Sequence, residues 1–483
     1  MQEESVEMKR IANERLRNAS DKGQLPEIRK ALFLGADINL RVTAVGSSPL
    51  MCAAYDGDLE IVKYLLQNKA KVNFQNSEKN TALLFAADHG YLEVSKILLE
   101  AKSNPNMRDN EDYDATMLVC RRRHVDILRI LLENKASTAG KTGLGDTPLI
   151  MAAWNGHVDI ALCLIKHNAC VNTANNRGDA PLFFAAKSGN TKILEALLDN
   201  KASINAQNSE AIRAVMPASE NGHVEALKIL IEAKASVNHR DCDGWSCITW
   251  ASQDGHVEAI ELLSSSKANI NHTNNRGSTG LILASQNGHT KAVKKLLELE
   301  ADIDIQNGHG RSALSQAVQQ GHLPAVKCLL ENKASVNVQD HRNYSPLLIA
   351  VSNGREKHLK LLIDSHADVR CIDKDGFSSL HVAVYRSRLD LIRILVETGH
   401  ADVTCRVGGS DKGRTPLECA KEVNFNGGIR WYLESCQKKI LDAVMKRDIP
   451  FWLSMLRGEI INSALGISES RIINVEKEED KEA

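Results

Sequence analysis

The sequence predicts an all-α solenoid of stacked helix-turn-helix units that are joined by hairpin-like connectors. Three observations predict this fold. The 483-residue chain repeats itself every 33 residues, most repeats open with a helix N-cap residue, and most contain a glycine between two apolar-periodic segments. One such helix pair cannot bury its apolar face alone, whereas stacked copies bury a continuous core.

The first helix of each unit is predicted from its start signal. Steps of 33 residues from Ser48 reach eleven equivalent positions without an insertion, and nine of the eleven carry Ser, Thr or Asp. The side-chain oxygen of these residues can accept a hydrogen bond from a free N–H of the first helical turn. The positions are Ser48, Thr81, Asp114, Thr147, Ala180, Arg213, Ser246, Thr279, Ser312, Ser345 and Ser378.

A glycine near the end of the first helix predicts a tight turn, because glycine adopts the left-handed conformation without steric cost. A second helix with apolar periodicity follows, as in "VDIALCLI" (158–165) and "VEALKILI" (224–231). Turn sequences such as "NRGD" (176–179) and "KDGF" (374–377) then form the connector. The turn glycines are Gly57, Gly90, Gly156, Gly189, Gly222, Gly255, Gly288, Gly321 and Gly354.

The segment "TPLIMAAWNGHVDIALCLIKHNACVN" (147–172) closely matches the T-P-L-H-x-A pattern, with Ile150 at the histidine position, and the period is 33 residues; the chain therefore resembles the ankyrin-repeat family. The resemblance covers about residues 43–436, with about twelve repeats. We expect N-terminal helices and a capping half-repeat at 1–42 and the repeat array at 43–436. Capping helices and an acidic tail are expected at 437–483, with closing helices over 438–456.

Two departures from the family pattern carry structural expectations. The family histidine after T-P-L survives only at His381, so apolar packing must replace its hydrogen bond elsewhere. Lysine replaces the family glycine after the second helix, where we expect a left-handed backbone and a favourable position beside the helix C-terminus. These lysines are Lys69, Lys102, Lys135, Lys201, Lys234, Lys267 and Lys333.

The composition argues against several partners. Lys and Arg total 60 and Asp and Glu total 61, so the net charge is −1 and gives no general attraction to nucleic acid or membranes. The N-terminus has no apolar signal-peptide core, and no apolar run is long enough for a membrane span. Eleven scattered cysteines without a C-x-x-C pair favour reduced thiols. We expect a monomer in the cytoplasm, with the nucleus as the alternative.

No catalytic, metal or cofactor site is predicted. Histidines recur before the second helix, but equivalent residues of stacked helices lie roughly 8–10 Å apart, too far to share one zinc ion. We expect them to pack there and to bond to backbone. No phosphate-binding loop and no hydrolase or kinase motif is present, so we expect no enzyme activity, no cofactor and no small-molecule substrate.

The resemblance implies that partners bind on the concave face, which the first-helix ends and connector tips form. There the register places a basic and aromatic group: Arg121, Arg122, Trp154, Arg177 and Lys187. Arg and Trp are enriched at binding hot spots. We predict that this group binds an acidic, partly apolar segment. The alternatives are a solvated helix end for the arginines and a packing role for Trp154. The further candidates are Trp245, Tyr344 and Phe377.

The sequence thus predicts a non-enzymatic scaffold that binds a protein partner. One alternative is an adaptor that delivers the partner to an enzyme, such as a ubiquitin ligase, through the C-terminal helices. Nucleic-acid binding is a third reading, which the neutral charge disfavours. Two structural expectations remain. Arg123 should occupy the left-handed turn position in place of glycine, and residues 206–219 should form a soft joint because Pro217 interrupts a helix without a good cap.

Overall fold

The computed structural model describes residues 2–409, 413–422 and 427–445 of the chain. It confirms an all-α fold of paired helices. In this part of the chain, strand pairing is limited to isolated bridges across connectors, at Gln207–Arg213, Thr273–Thr279 and Ile372–Ser378. The predicted acidic tail and the part of the closing helices beyond residue 445 lie outside the described residues.

The chain divides into two compact units, residues 1–242 and 243–483. In the first unit, each helix pair stacks on the next pair along the chain. Its helices are α1 Gln2–Asp21, α2 Leu25–Phe33, α3 Pro49–Asp56, α4 Leu59–Gln67, α5 Ala82–His89, α6 Leu92–Glu100, α7 Ala115–Arg122, α8 Val125–Glu133, α9 Pro148–Asn155, α10 Val158–Lys166, α11 Pro181–Lys187, α12 Thr191–Asp199, α13 Val215–Glu220 and α14 Val224–Glu232.

The second unit repeats the same packing of helix pairs. It ends in a longer helix, α26, which continues across the boundary expected at residues 436 and 437. The helices are α15 Cys247–Gln253, α16 Val257–Ser265, α17 Gly280–Asn287, α18 Thr290–Glu298, α19 Ala313–Gln320, α20 Leu323–Glu331, α21 Pro346–Ser352, α22 Glu356–Asp364, α23 Ser379–Tyr385, α24 Leu389–Glu397, α25 Pro416–Glu422 and α26 Gly427–Met445.

Eight of the eleven N-cap positions make the predicted side-chain bond. Thr147 Oγ1 accepts from the Ile150 N–H at 3.2 Å, and Asp114 Oδ1 accepts from the Met117 N–H at 3.0 Å. Ala180 has no side-chain oxygen and the Ser246 hydroxyl makes no cap bond, yet α11 and α15 begin directly after them. Arg213 also offers no side-chain oxygen, and here the helix begins late. There α13 begins only at Val215, has no side-chain cap and is six residues long.

The turns also follow the prediction. The nine turn glycines all have positive φ, and Arg123 adopts the same left-handed conformation with φ 67°. The seven lysines after the second helices share it, with φ from 63° to 68°. Both substitutions therefore keep the backbone path of the repeat, and the strain of a side chain at positive φ is tolerated.

A column of Asn and Asp side chains joins each repeat to the next. Asn73 Oδ1 accepts from the Asn104 N–H at 2.8 Å, and Asn106 Oδ1 accepts from the Ser137 N–H at 2.7 Å. Asn39, Asn172, Asn205, Asn271, Asp304 and Asn337 make the equivalent bond to the next connector. Each bond is exposed and reaches from one connector to the next, so the column links neighbouring connectors at a constant interval.

The core lies between the helix layers. In α8, Ile127, Leu128 and Leu131 are at most 1% exposed, and the equivalent side chains of the other second helices are buried in the same way. Deleting one of these side chains to Ala costs about 2–5 kcal/mol in well-packed cores. The first helices contribute a second row, so the polar ends of each helix pair remain available at the surface.

Candidate protein-interaction surface

The predicted basic and aromatic residues lie on neighbouring elements of the first unit. Helices α5, α7, α9 and α11 pack side by side in this order. Arg121 lies in the last turn of α7, Trp154 in the last turn of α9, and Lys187 at the end of α11. We refer to Arg121, Arg122, Trp154, Arg177 and Lys187 as the basic-aromatic surface.

One carboxylate of the preceding repeat holds both arginines. Arg122 donates to Asp88 through Nε to Oδ1 at 3.0 Å and through Nη2 to Oδ2 at 3.3 Å. Arg121 Nη2 donates to Oδ1 of the same carboxylate at 3.2 Å. Arg122 is therefore bound in a bidentate manner, whereas Arg121 uses one nitrogen. Two positive charges share one negative charge, so the cluster keeps an excess positive charge.

The ionisation of Asp88 follows from this arrangement. Its partial burial acts to raise the pKa, but the hydrogen bonds from Arg122 and Arg121 and their charges outweigh that effect. The pKa of Asp88 is held below its ordinary value, and the pKa of Arg122 is raised by its hydrogen bond to Asp88. Asp88 and Arg122 therefore stay charged at neutral pH, and the hydrogen bonds to Asp88 orient both arginines without a ligand.

In two repeats a connector residue supports the end of the first helix. The guanidinium carbon of Arg121 lies 4.9 Å from the centroid of the Tyr113 ring, eight residues earlier. In the second unit, Phe377 packs edge-on against Tyr385 at 5.5 Å between centroids, which is the same separation in sequence. Connector and helix end thus form one face, as the repeat register predicts.

Trp154 is both packed and exposed. Its ring lies 4.9 Å from the Phe184 ring between centroids, with an interplanar angle of 31°. The side chain nevertheless remains 61% exposed. A packing role therefore accounts for only part of the Trp154 side-chain surface. The remaining indole area is available to a partner.

The other two members of the surface are exposed cations. The carbonyl of Lys187 accepts a hydrogen bond from His223 Nε2 at 3.1 Å, which fixes its backbone. Arg177 lies on the connector before α11, where its N–H donates to Asn175 Oδ1 at 3.0 Å. Among the described residues, no hydrogen bond, ion pair or ring contact joins Trp154 to either arginine. The surface is thus a row of neighbouring groups, not one bonded cluster.

The further candidates in the second unit are half-buried and pack on their own repeats. Trp245 stacks on Trp250 at 4.5 Å between centroids. Phe377 contacts both Tyr385 and His381. Burial raises the pKa of the Tyr344 hydroxyl, with smaller contributions from Asp373 and other nearby charges. These three residues lie in a different unit from the basic-aromatic surface, and their role in binding stays a prediction.

Two residues, Asp88 and Tyr55, which the repeat register places in the same column as Arg121, make contacts that the sequence does not predict. Asp88 stands in the same column as Arg121, but the bond between neighbouring repeats that makes it their counter-ion has no sequence signal of its own. Tyr55, two repeats earlier, is 51% exposed and lies 4.5 Å from the His89 ring and 5.5 Å from the Phe85 ring between centroids. Its place in the column was visible from the period, and only its aromatic neighbours were not.

Three of the histidines before the second helices bond to backbone as predicted, namely His124, His223 and His322. His124 Nε2 lies 3.3 Å from the Asp88 carbonyl oxygen, and His322 Nε2 lies 3.0 Å from the Gln286 carbonyl oxygen. Within residues 2–409, 413–422 and 427–445, no group of three or more His, Cys, Asp or Glu side chains is arranged to hold a metal ion. None of the helices described is long and apolar enough to cross a membrane.

The stacked helix pairs, the capped first helices and the connectors define a repeat protein. A family model described as ankyrin repeats (3 copies) matches residues 16–109, 116–208, 182–274, 212–307, 266–340 and 347–440. The chain therefore belongs to the ankyrin-repeat family, whose repeats form a protein–protein interaction module. A search of curated proteins found no match to the chain.

Proposed function

We propose that the protein is a non-enzymatic scaffold that binds an acidic, partly apolar segment of a protein partner on the basic-aromatic surface. The observation that carries the proposal is the pair Arg121 and Arg122, which one carboxylate orients but does not neutralise, on a helix next to that of the exposed Trp154. Hydrogen bonds between guanidinium and carboxylate are short and roughly twice as strong as neutral ones.

Preorganisation supports this choice of site. Arg122 is held by two hydrogen bonds, and Arg121 rests on the Tyr113 ring. Side chains that are ordered before binding lose less entropy when the partner arrives, at about 0.5–1.5 kcal/mol for each immobilised side chain. Arg121 uses only one guanidinium nitrogen to bind Asp88, whereas Arg122 uses two. Arg121 therefore has more free N–H donors for a partner carboxylate.

The test is capture of partners from a cell extract by the full chain and by charge-reversed variants. Arg121→Glu with Arg122→Glu should lose captured partner at least tenfold. The matched control is Lys63→Glu with Arg129→Glu, which changes the charge equally at exposed positions of the second helices α4 and α8. Circular dichroism checks that both variants fold. Equal capture by parent and double reversal would show that the partner binds elsewhere.

An adaptor role is the second candidate, and one feature of α26 favours it. The Tyr432 hydroxyl donates a hydrogen bond to Glu397 Oε1 at 2.9 Å and so anchors this helix, while the neighbouring Trp431 is 67% exposed. A scaffold needs no exposed Trp there, whereas an adaptor needs a second docking point. Trp431→Ala should then keep the first partner and lose the second. Capture of every partner by this variant would exclude the adaptor role for Trp431 and leave only the scaffold function.

A further inference from the structure

In the column of the first unit that we propose to face the partner, the side-chain types follow a fixed order along the stack. Its members are residues 33 apart on helices that pack side by side: Arg121 on α7, Trp154 on α9 and Lys187 on α11. The order along the stack is therefore basic, aromatic, basic. Packed helices lie about 8–10 Å apart, which sets the distance between successive members of the column.

An extended peptide has a repeat that matches this spacing. Its residues advance by about 3.3 Å each, so three residues span about 10 Å. A segment lying along the stack would present every third residue to a new repeat. A helical segment, which rises about 1.5 Å per residue, would need an interval of six or seven residues instead.

The flanking residues of the column restrict the register. Asp88 stands one repeat before Arg121, and Glu220 occupies the equivalent position one repeat after Lys187. A segment displaced by one repeat would bring an acidic side chain against Trp154 and another against Asp88 or Glu220. In both displaced registers the apolar side chain meets a cation and one acidic side chain meets the Trp154 ring, so only the undisplaced register matches all three groups at once.

We infer that the partner segment is extended and carries an acidic residue, an apolar residue and a second acidic residue at intervals of three. The first acid pairs with Arg121, the apolar side chain packs on Trp154, and the last acid pairs with Lys187. The pattern reads the same in both chain directions, so it does not depend on the orientation of the segment. This inference rests on the proposed function and adds the spacing of the acidic and apolar residues that the surface recognises.

The test uses fluorescein-labelled nine-residue peptides and the full-length chain. One peptide carries glutamate, leucine and glutamate at its second, fifth and eighth positions among serine and glycine. Its isomer has the same composition with these residues at the third, fifth and seventh positions. A longer helical peptide carries them at intervals of seven. Fluorescence anisotropy measures each affinity at low and physiological salt, because the charge pairs are screened by salt.

The first peptide should bind roughly fivefold or more tightly than its isomer and than the helical peptide, because only its spacing engages all three groups at once. Lys187→Glu should lose this preference. It should regain it for a peptide whose last glutamate is replaced by lysine, which a merely structural role of Lys187 would not produce.

Equal binding of the two isomers overturns the spacing inference. If Arg121→Glu with Arg122→Glu still abolishes that binding, the proposed function stands without it. Tighter binding of the helical peptide, or no binding of any peptide, also overturns the inference. Partner capture by the double reversal then decides separately whether the basic-aromatic surface binds at all.

Discussion

The imidazole of His124 lies against Gly90 so closely that a Cβ atom at residue 90 would stand 2.6 Å from the ring Cε1. The same contact joins His223 to Gly189 and His322 to Gly288. Gly90 also has φ +83°, a conformation that favours glycine. At Gly90, glycine is therefore favoured twice, once by its own backbone and once by the histidine of the next repeat.

Gly90→Ala should lower the free energy of unfolding by about 2–4 kcal/mol, since backbone strain and overpacking add. Gly35→Ala is the matched control, because Gly35 has φ +87° but nothing within 4 Å of an added Cβ atom. It should cost only about 1 kcal/mol. Urea denaturation measures both, and equal losses would show that the histidine moves aside freely.

Arg123→Gly should raise the free energy of unfolding by roughly 0.5–1 kcal/mol and leave partner binding unchanged. The substitution relieves the strain at φ 67°. It gives up the ion pair between Arg123 Nε and Asp159 Oδ2 at 3.3 Å, which is exposed and contributes little. Arg123→Ala, which loses the ion pair and keeps the strain, should be no more stable than the parent. Weaker partner binding by Arg123→Gly would place this residue in the binding surface.

Trp154→Ala should weaken partner binding by about 1–3 kcal/mol, as hot-spot aromatics do, with a smaller change in stability. The effect on binding exceeds the effect on stability because one side of the indole packs on Phe184 while most of its area is exposed. Titration against the captured partner measures the effect. Leu162→Ala removes another exposed apolar side chain, on α10, and should bind like the parent. A loss of stability alone would identify Trp154 as a packing residue.

The pH dependence of stability should carry a contribution from Asp114. Burial is the largest influence and raises the pKa of this N-cap carboxyl to about 6, despite the hydrogen bond from the Met117 N–H. The folded chain therefore holds a proton that the unfolded chain releases near pH 4. Stability from this group is present below about pH 4 and is lost as the pH rises through about 6.

Asp114→Thr places at this cap the residue found at Thr81 and Thr147. We expect its stability, relative to the parent, to increase between pH 4.5 and pH 8 by roughly 1–3 kcal/mol. Urea midpoints at the two pH values measure this difference, and the subtraction removes the titration of all other groups. A difference that does not change with pH would mean that the carboxyl titrates normally in the fold.

Residues 206–219 should exchange amide hydrogens faster than residues 147–165. The connector there holds Ala211 at φ 59°, where most other connectors have glycine but three have Lys79, Asp112 or Asn343, and α13 is short and uncapped. Ala211→Gly should raise stability by up to about 1 kcal/mol and slow exchange in this segment. Hydrogen exchange with mass spectrometry measures both effects. Equal protection of the two segments in the parent would remove the proposed soft joint.

The features predicted correctly from sequence are those set by local conformation and by the period. The caps, the left-handed Arg123 and the lysine column each follow from one residue at one position. The start of α13 was misplaced, since the helix begins at Val215 and not directly after Arg213. The link from Asp88 to both arginines was missed because it depends on which side chains of neighbouring repeats meet. The binding role of the surface stays a prediction, since the 33-residue period carries no information about the chemistry of a partner.

The Asn and Asp column has a consequence for the way the chain folds. Its bonds join residues 31 or 32 apart, such as Asn73 to Asn104, and so reach only the adjacent repeat. Loops of this length close at modest entropic cost, and a fold made of them has low contact order. Assembly can therefore start at any well-capped repeat and grow outward one repeat at a time. We expect folding to slow where growth reaches the uncapped repeat at residues 206–219.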